Sequence, residues 1–232
     1  MDNWELRLSR RMLYHHTHKG FMSAITKAER GYGKSMYNLK SMAHLHYMLE
    51  DCTENHAWQK ALDNIIFTPE QLTDKIDYNI ANDVISPVWC IDDATVHFSS
   101  YLFFINVFQT ALLNAAFDTM RTVVSALLIN CPQKKRLLRS LQHYDDYEIT
   151  IYKAQNAGYE RKAVCIKWYS LPSGKREFRK EFEDHFSCYV PNWVYQKYMT
   201  MRKLYLKEIN EQIQGLKIKL SERKQKTTEK TL

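Results

Sequence analysis

Between Phe21 and Cys131, short apolar runs alternate with longer segments whose apolar positions recur at helical spacing. Phe21 to Thr26 is apolar and β-branched, which predicts a buried strand. Ser35 to Glu50 contains neither Gly nor Pro, and Met36, Leu39, Ala43 and Tyr47 share one face at helical period, so a helix is predicted. A strand is predicted around Ile65-Ile66-Phe67, then a helix with Thr68 as N-cap and Pro69 in its first position. Val88 to Ile91 predicts another strand, ending in Asp92-Asp93, and Val123 to Ile129 one more, running into Asn130-Cys131-Pro132. Ser99 to Ala116 is the most hydrophobic stretch, yet Asn106, Gln109 and Asn114 interrupt it, which predicts a buried helix and not a membrane span.

After Asn130 the pattern changes. Lys134 to Leu141 predicts a short basic amphipathic helix with its apolar face on the sheet. Tyr147 to Lys153 and Arg161 to Tyr169 alternate as strands do, and the turn Leu171-Pro172-Ser173-Gly174 joins the latter to Lys175 through Phe182, predicting a β-hairpin. From Pro191, the positions Val194, Tyr198, Met201, Tyr205, Ile209, Ile213, Leu216 and Leu220 form one helical stripe, interrupted by Gly215. Such a helix would be roughly 45 Å long, more than one domain needs, so its far half is expected to meet a partner or fray. The predicted fold is therefore α/β: a central, mostly parallel sheet flanked by helices, with an added hairpin and a long C-terminal helix. Four regions follow: a basic N-terminal segment 1–19, a core domain 20–190 that includes the hairpin region 147–182, the amphipathic helix 191–220, and a basic, disordered tail 221–232.

Candidate chemistry sits where these elements join. Ala28-Glu29-Arg30-Gly31-Tyr32-Gly33-Lys34-Ser35 lies between the strand and the helix and ends in Gly-Lys-Ser, the layout of a nucleotide phosphate-binding loop, with Ala28 where the usual pattern has glycine. Small residues let successive backbone N–H groups curl around phosphate oxygens, and the helix N-terminus adds partial positive charge. Lys34 is then expected to reach the β- and γ-phosphates and Ser35 to ligate Mg2+. Asp92, at the end of its strand, is the expected Mg2+ partner, and Asp93 the residue that orients or deprotonates an attacking water. Adjacent carboxylates repel, so a site that pairs them supplies a cation. Asn130, expected just past the end of its strand, would orient that water or sense the γ-phosphate. In open α/β sheets ligands gather at the carboxyl ends of the strands, where Lys34 and Asp92 would both fall.

Together, Ala28 to Ser35, Ile91-Asp92-Asp93 and the Asn130 strand resemble the three nucleotide-contact motifs of the additional-strand P-loop ATPases, the group that includes RecA-like and replication-initiator-like enzymes. The run Trp89-Cys90-Ile91-Asp92-Asp93-Ala94, with Phe98-Ser99-Ser100-Tyr101 after it, is similar to small ATPases of viruses and plasmids of thermoacidophilic archaea. The resemblance covers residues from about 20 to 135 and implies ATP and Mg2+ as ligands, ATP hydrolysis, and work on DNA such as replication initiation, loading or genome packaging. Relatives that work as rings complete each site with a neighbour's arginine, and Arg136 or Arg139 would be placed for that.

Charge supports nucleic acid as the partner. The net charge is +7, and residues 216–232 hold six Lys and Arg against two Glu, while residues 1–19 hold four against two acids, leaving a nearly neutral core. The hairpin mixes Trp168, Tyr169 and Phe178 with Lys167, Lys175, Arg176, Arg179 and Lys180, a composition suited to stacking on bases and contacting phosphates as well as to strand packing. No apolar run is long enough to span a membrane and the first residues carry no signal pattern, so a cytoplasmic protein is expected. The five cysteines are scattered and read as reduced, mostly buried thiols. His15-His16-Thr17-His18 has no Cys or carboxylate partner close in sequence and is expected to be a solvated turn. An ATPase acting on DNA is thus the leading expectation. A P-loop kinase would need an arginine-rich lid and an acceptor pocket, and a nucleotide-gated binding protein would show tight binding without turnover.

Overall fold

The computed structural model describes residues 5–29, 31–95, 98, 107–142, 147–154 and 160–229. The chain divides into two compact units, residues 1–191 and residues 192–232. In the first, helix α1 (Arg7–Thr17) precedes strand β1 (Met22–Lys27), followed by α2 (Lys34–Glu50), α3 (Glu54–Asp63), β2 (Ile65–Ile66), α4 (Pro69–Ala81), β3 (Trp89–Ile91), α5 (Val107–Thr119) and β4 (Ala126–Cys131). Then come a four-residue helix α6 (Arg139–Gln142) and the strands β5 (Tyr147–Lys153), β6 (Glu160–Ser170) and β7 (Arg176–Ser187). The second unit is a single helix, α7 (Asn192–Glu229), 38 residues and so about 57 Å long.

Seven strands form one sheet in the order β2-β3-β4-β1-β5-β6-β7. The first five are parallel, and β5, β6 and β7 pair antiparallel as an added meander. β4 therefore lies between β1 and β3, with Ile25 beside Ile129 and Ile91 beside the same residue. Strands β1 and β4 are buried almost without interruption because both faces are covered, and their polar residues Ser23, Thr26 and Asn130 are buried with the rest. On one face, Ile25, Trp89, Ile91, Leu127, Ile129 and Cys131 pack with Leu72 and Ile76 of α4 and Leu113 and Phe117 of α5. On the other, Thr26, Cys90 and Asn130 meet Asn38 of α2.

Local signals place the helices. Thr68 and Gln71 close a capping box at α4, with Pro69 behind the cap, and Thr53 caps α3. α1 has no side-chain cap of its own. Asp184 on β7 supplies one, accepting from the backbone N–H groups of Arg7 (2.9 Å) and Leu8 (3.3 Å), and from the Tyr37 hydroxyl at 2.7 Å.

Several expectations change. The N-terminal segment 1–19 is largely the helix α1, with Leu8, Ser9 and Met12 buried. His15, His16 and Thr17 form its last turn and not a solvated turn, and His16 Nδ1 lies 2.9 Å from Ser125 Oγ. Lys134 to Leu141 is not one helix: a 3-10 turn, Lys134–Arg136, gives way to extended Leu137 before α6, because the Leu138 N–H donates to the Phe98 carbonyl (2.8 Å) and not to a carbonyl four residues back, while Leu137, Leu138 and Leu141 are all buried in the core. β4 starts later and ends later than expected, so Asn130 is inside the strand and not past its end. α7 continues to Glu229, through Gly215 and through residues expected in a disordered tail. Among the hydrophobic residues 99–116, those from 107 belong to α5, and 99–106 lie outside the described residues. All five cysteines are free thiols.

Candidate functional site

Parallel strands deliver their carboxyl ends to one edge of the sheet, and the loop leaves β1 there. Gly31 and Gly33 are both left-handed, at φ +79° and +92°, a region that side-chain-bearing residues occupy only with strain. Gly31 has open space around it, whereas a Cβ on Gly33 would collide with the Cys188 sulfur. Gly33 also serves as N-cap of α2 and has no side chain to occupy the helix's first N–H groups, which leaves the loop end of the helix dipole available to an anion. Lys34 opens the helix and turns back over the loop, its Nζ donating to the carbonyls of Ala28 (2.9 Å) and Glu29 (3.2 Å). Tyr32 lies beneath the Lys153 ammonium, 4.9 Å from its ring centre, and its phenol is held above the usual tyrosine range chiefly by a hydrogen bond with Glu29. Arg30 lies outside the described residues.

The acidic end of β3 meets this loop. Ser35 Oγ donates to Asp92 Oδ1 at 3.0 Å, and Asn130 Nδ2 donates to the same oxygen at 2.8 Å. Asp92 is 2% exposed and Asn130 1%. Asp93 follows with φ +48°, a left-handed conformation that Asp tolerates better than most residues, and its backbone N–H also bonds Asp92 Oδ1, at 3.1 Å. Asn130 is fixed from behind by Asn38, whose Nδ2 donates to Asn130 Oδ1 at 2.8 Å while its own Oδ1 accepts from the Thr26 hydroxyl at 3.0 Å. A fully buried polar chain thus runs from β1 through α2 and β4 to the carboxylate at the end of β3. Its members fix one another's orientation, because each side chain has a single arrangement that satisfies its neighbours.

Around the same edge lysines and carboxylates are paired. Lys27 Nζ pairs with Glu148 Oε1, and Lys134 Nζ lies 3.8 Å from Glu148 Oε2, so two ammonium groups share one buried carboxylate. Burial, and then the neighbouring Lys134, pushes the Lys27 ammonium below the usual lysine range. Cys131, close to Lys34, Lys27 and Lys134, is nonetheless pushed up to about 12 by burial, which keeps it a thiol and makes it an unreactive one.

Sequence reasoning found Lys34, Ser35, Asp92, Asp93 and Asn130, and the structure brings Ser35, Asp92 and Asn130 into one hydrogen-bonded group beside Lys34 and Asp93. It did not find Asn38, Thr26 or Glu148, whose roles depend on strands and helices far apart in sequence. Nor did it find Arg161, Phe186 and Cys188, which the antiparallel strands bring behind Gly33. Arg136 is exposed on its 3-10 turn, and the Arg139 side chain lies outside the described residues. Among the described residues, no His, Cys, Asp and Glu gather as a ready-made metal cluster. None of the described helices is long and apolar enough to cross a membrane.

No protein-family model matches the chain. It is similar to the uncharacterized protein B-251 of Sulfolobus spindle-shape virus 1, with 23% identity over 218 residues that cover 91% of this chain and 85% of the relative. The chain is thus related along nearly its whole length to a protein of an archaeal virus, and that relative contributes no activity to the comparison.

Proposed function

We propose that this chain binds ATP with Mg2+ at the loop from Ala28 to Ser35, hydrolyses it, and uses the cycle to act on DNA in replication initiation, loading or genome packaging of a virus or plasmid. The observation that carries this reading is the convergence of Ser35, Asp92 and Asn130 on one carboxylate oxygen directly behind a two-glycine loop and an uncapped helix N-terminus. The position of β4, an additional strand between the strand that feeds the loop and the strand that bears the acids, supports the same group of P-loop enzymes.

The residues fit the ligands they would hold. Ser35 and Asp92 offer a hydroxyl and a carboxylate oxygen 3.0 Å apart, the hard oxygen donors that Mg2+ takes. When bound there, Mg2+ neutralises charge on the phosphates. Lys34 rests on two loop carbonyls, interactions that a phosphate would replace with a stronger charge-assisted bond. Asp93, whose backbone the strand end holds in a strained conformation, accepts the proton of the attacking water. Asn130 and Asn38 keep Asp92 in place, and their rigidity spares the site reorganisation during the reaction.

The test is single-turnover hydrolysis with and without DNA. Lys34→Ala is expected to abolish ATP binding, and Asp93→Asn to retain binding while phosphate release falls by at least about a hundredfold, the scale of a lost general base. DNA-stimulated phosphate release supports the whole reading. Undiminished turnover in Asp93→Asn removes that residue from its role, and tight ATP binding without release in the native chain replaces hydrolysis with nucleotide-gated binding.

A further inference from the structure

The hairpin of β6 and β7 is two structures in one. In its lower half, burial alternates: Phe182, Asp184 and Phe186 are buried while His185 is exposed, as expected for a strand covered on one face. In its upper half alternation disappears, and Glu177, Phe178, Arg179 and Lys180 are all exposed. The change falls at a register shift between Cys165 and Ile166. Beyond Lys167 the residues of β6 pair with β7 alone, because β5 begins at Tyr147, opposite Lys167. Among the described residues the upper half is therefore a two-stranded ribbon, exposed along β7 from Glu177 to Lys180 and half-buried along β6 from Ile166 to Tyr169, where the Trp168 indole donates to Glu148 at 3.2 Å.

An exposed edge strand normally carries polar side chains, and this ribbon carries aromatics among bases. On one face Phe178 is 61% exposed and meets Trp168 edge to face, with ring centres 5.4 Å apart. On the other, Lys167 lies over the rings of Tyr147 (5.0 Å) and Tyr169 (5.6 Å), and Arg179 over Tyr169 (5.4 Å). Residues 166–180 contain five Lys and Arg against one Glu. An exposed ring backed by half-buried ones and flanked by cations is what single-stranded nucleic acid requires: every base has a face to stack on, and the phosphates need charge without sequence-specific donors. A protein partner would leave the excess positive charge unmatched unless it were strongly acidic, and a second copy of this chain, itself basic, would not match it.

We propose that the ribbon formed by Ile166–Ser170 and Arg176–Lys180 is a contact surface for single-stranded nucleic acid, with Phe178 and Trp168 stacking on bases and Lys175 and Arg179 meeting phosphates. It deepens the reading above by saying where the nucleic acid is held. The parallel and antiparallel registers put the tip of this ribbon toward the end of the sheet opposite the loop, since Lys153 at the carboxyl end of β5 pairs with Arg161 and Tyr147 at its start pairs with Lys167. The ribbon's tip and the nucleotide loop thus lie toward opposite ends of the sheet, with Glu148, which pairs with Lys27 and accepts from Trp168 Nε1, between them; variants at Phe178, Lys175 and Arg179 leave those residues unchanged, so the two activities can be tested apart.

The experiment measures binding of the full chain to fluorescein-labelled oligothymidylate of roughly 16 nucleotides by anisotropy, without nucleotide, for the native chain, Phe178→Ala, and the double variant Lys175→Glu with Arg179→Glu. Unchanged circular dichroism and thermal midpoint establish that each variant is folded. Phe178→Ala is expected to weaken binding about tenfold at any salt concentration, and the charge reversal to weaken it more and to flatten its dependence on salt between about 50 and about 200 mM. ATP binding should be unchanged in both, and Lys34→Ala should bind the oligonucleotide as the native chain does. Native affinity in the folded variants, or no measurable binding by the native chain, overturns the proposal whatever the ATPase assay gives. A fall in solution mass in Phe178→Ala with nucleic-acid binding unchanged would also overturn it and make the ribbon a contact between copies. Loss of ATP hydrolysis with the ribbon's binding intact would count against the ATPase reading alone.

Discussion

Asn38 shows how much a single buried side chain can carry. It is fully buried, faces the sheet from the first turns of α2, and joins Thr26 to Asn130, which in turn holds Asp92. Leucine at that position keeps the branched shape and removes the hydrogen bonds with Thr26, Asn130 and Cys90, leaving the Asn130 carbonyl oxygen without its donor. Asn38→Leu is therefore expected to destabilise the chain by about 1–3 kcal/mol, the cost of a buried polar group left unsatisfied. Urea unfolding measures this directly, and an unchanged midpoint would mean that the chain from Thr26 to Asp92 contributes no stability. At this scale the sequence was informative for residues with a local signature. Gly33, Lys34 and Ser35 announce themselves by spacing, and Asp92 by standing at the end of an apolar run. Asn38 has no such signature, since an asparagine on a predicted helix reads as an exposed polar position until the sheet partner is known.

Elements differ in the same way. α4 was legible to its boundary, because Thr68, Pro69 and Gln71 are all within its first turn. α1 was not, because the carboxylate that caps it is Asp184, 177 positions from Arg7. That cap also receives the Tyr37 hydroxyl from α2, so one carboxylate joins two helices to β7. Asp184→Ala should remove the cap and strand a phenol that is fully buried, for a combined loss of about 2–4 kcal/mol. Tyr37→Phe removes only the phenol's bond and should cost about 1 kcal/mol. Chemical denaturation of both variants separates the two contributions, and equal losses would show that the cap itself contributes nothing. The segment from Lys134 to Leu141 failed differently. Its pattern fits a helix, but the Leu138 N–H donates to the Phe98 carbonyl at 2.8 Å and not to a carbonyl four residues back, a partner 40 positions away that no local pattern reveals.

For the molecule as a whole, three histidines link stability to pH. Burial holds His16, His44 and His46 below the ordinary histidine value of 6.5, through contacts at β4's entry and within α2. In the unfolded chain these groups take up protons at higher pH than in the folded one. The stability they contribute is complete above 6.5 and is lost as pH falls through their lowered values. The thermal midpoint should therefore decline from about pH 6.5 downward, and His44→Gln should make that decline shallower. A midpoint that is flat or rises over this range would contradict the assignment.

The sequence alone determined the alternation of strands and helices, the two-glycine loop before α2 and the acids at the end of β3, because periodicity, caps and loop chemistry are written within a few consecutive residues. It also determined the hairpin, whose turn is local. Only the tertiary structure decided that β4 lies between β1 and β3, that Asn130 is inside that strand and bonded to Asp92, that Asn38 orders the group from behind, and that β7 is exposed from Glu177 to Lys180. Strand order and coverage depend on which distant surfaces bury one another, and the free energy that fixes them comes from burial summed over the whole core, which no short stretch of sequence contains.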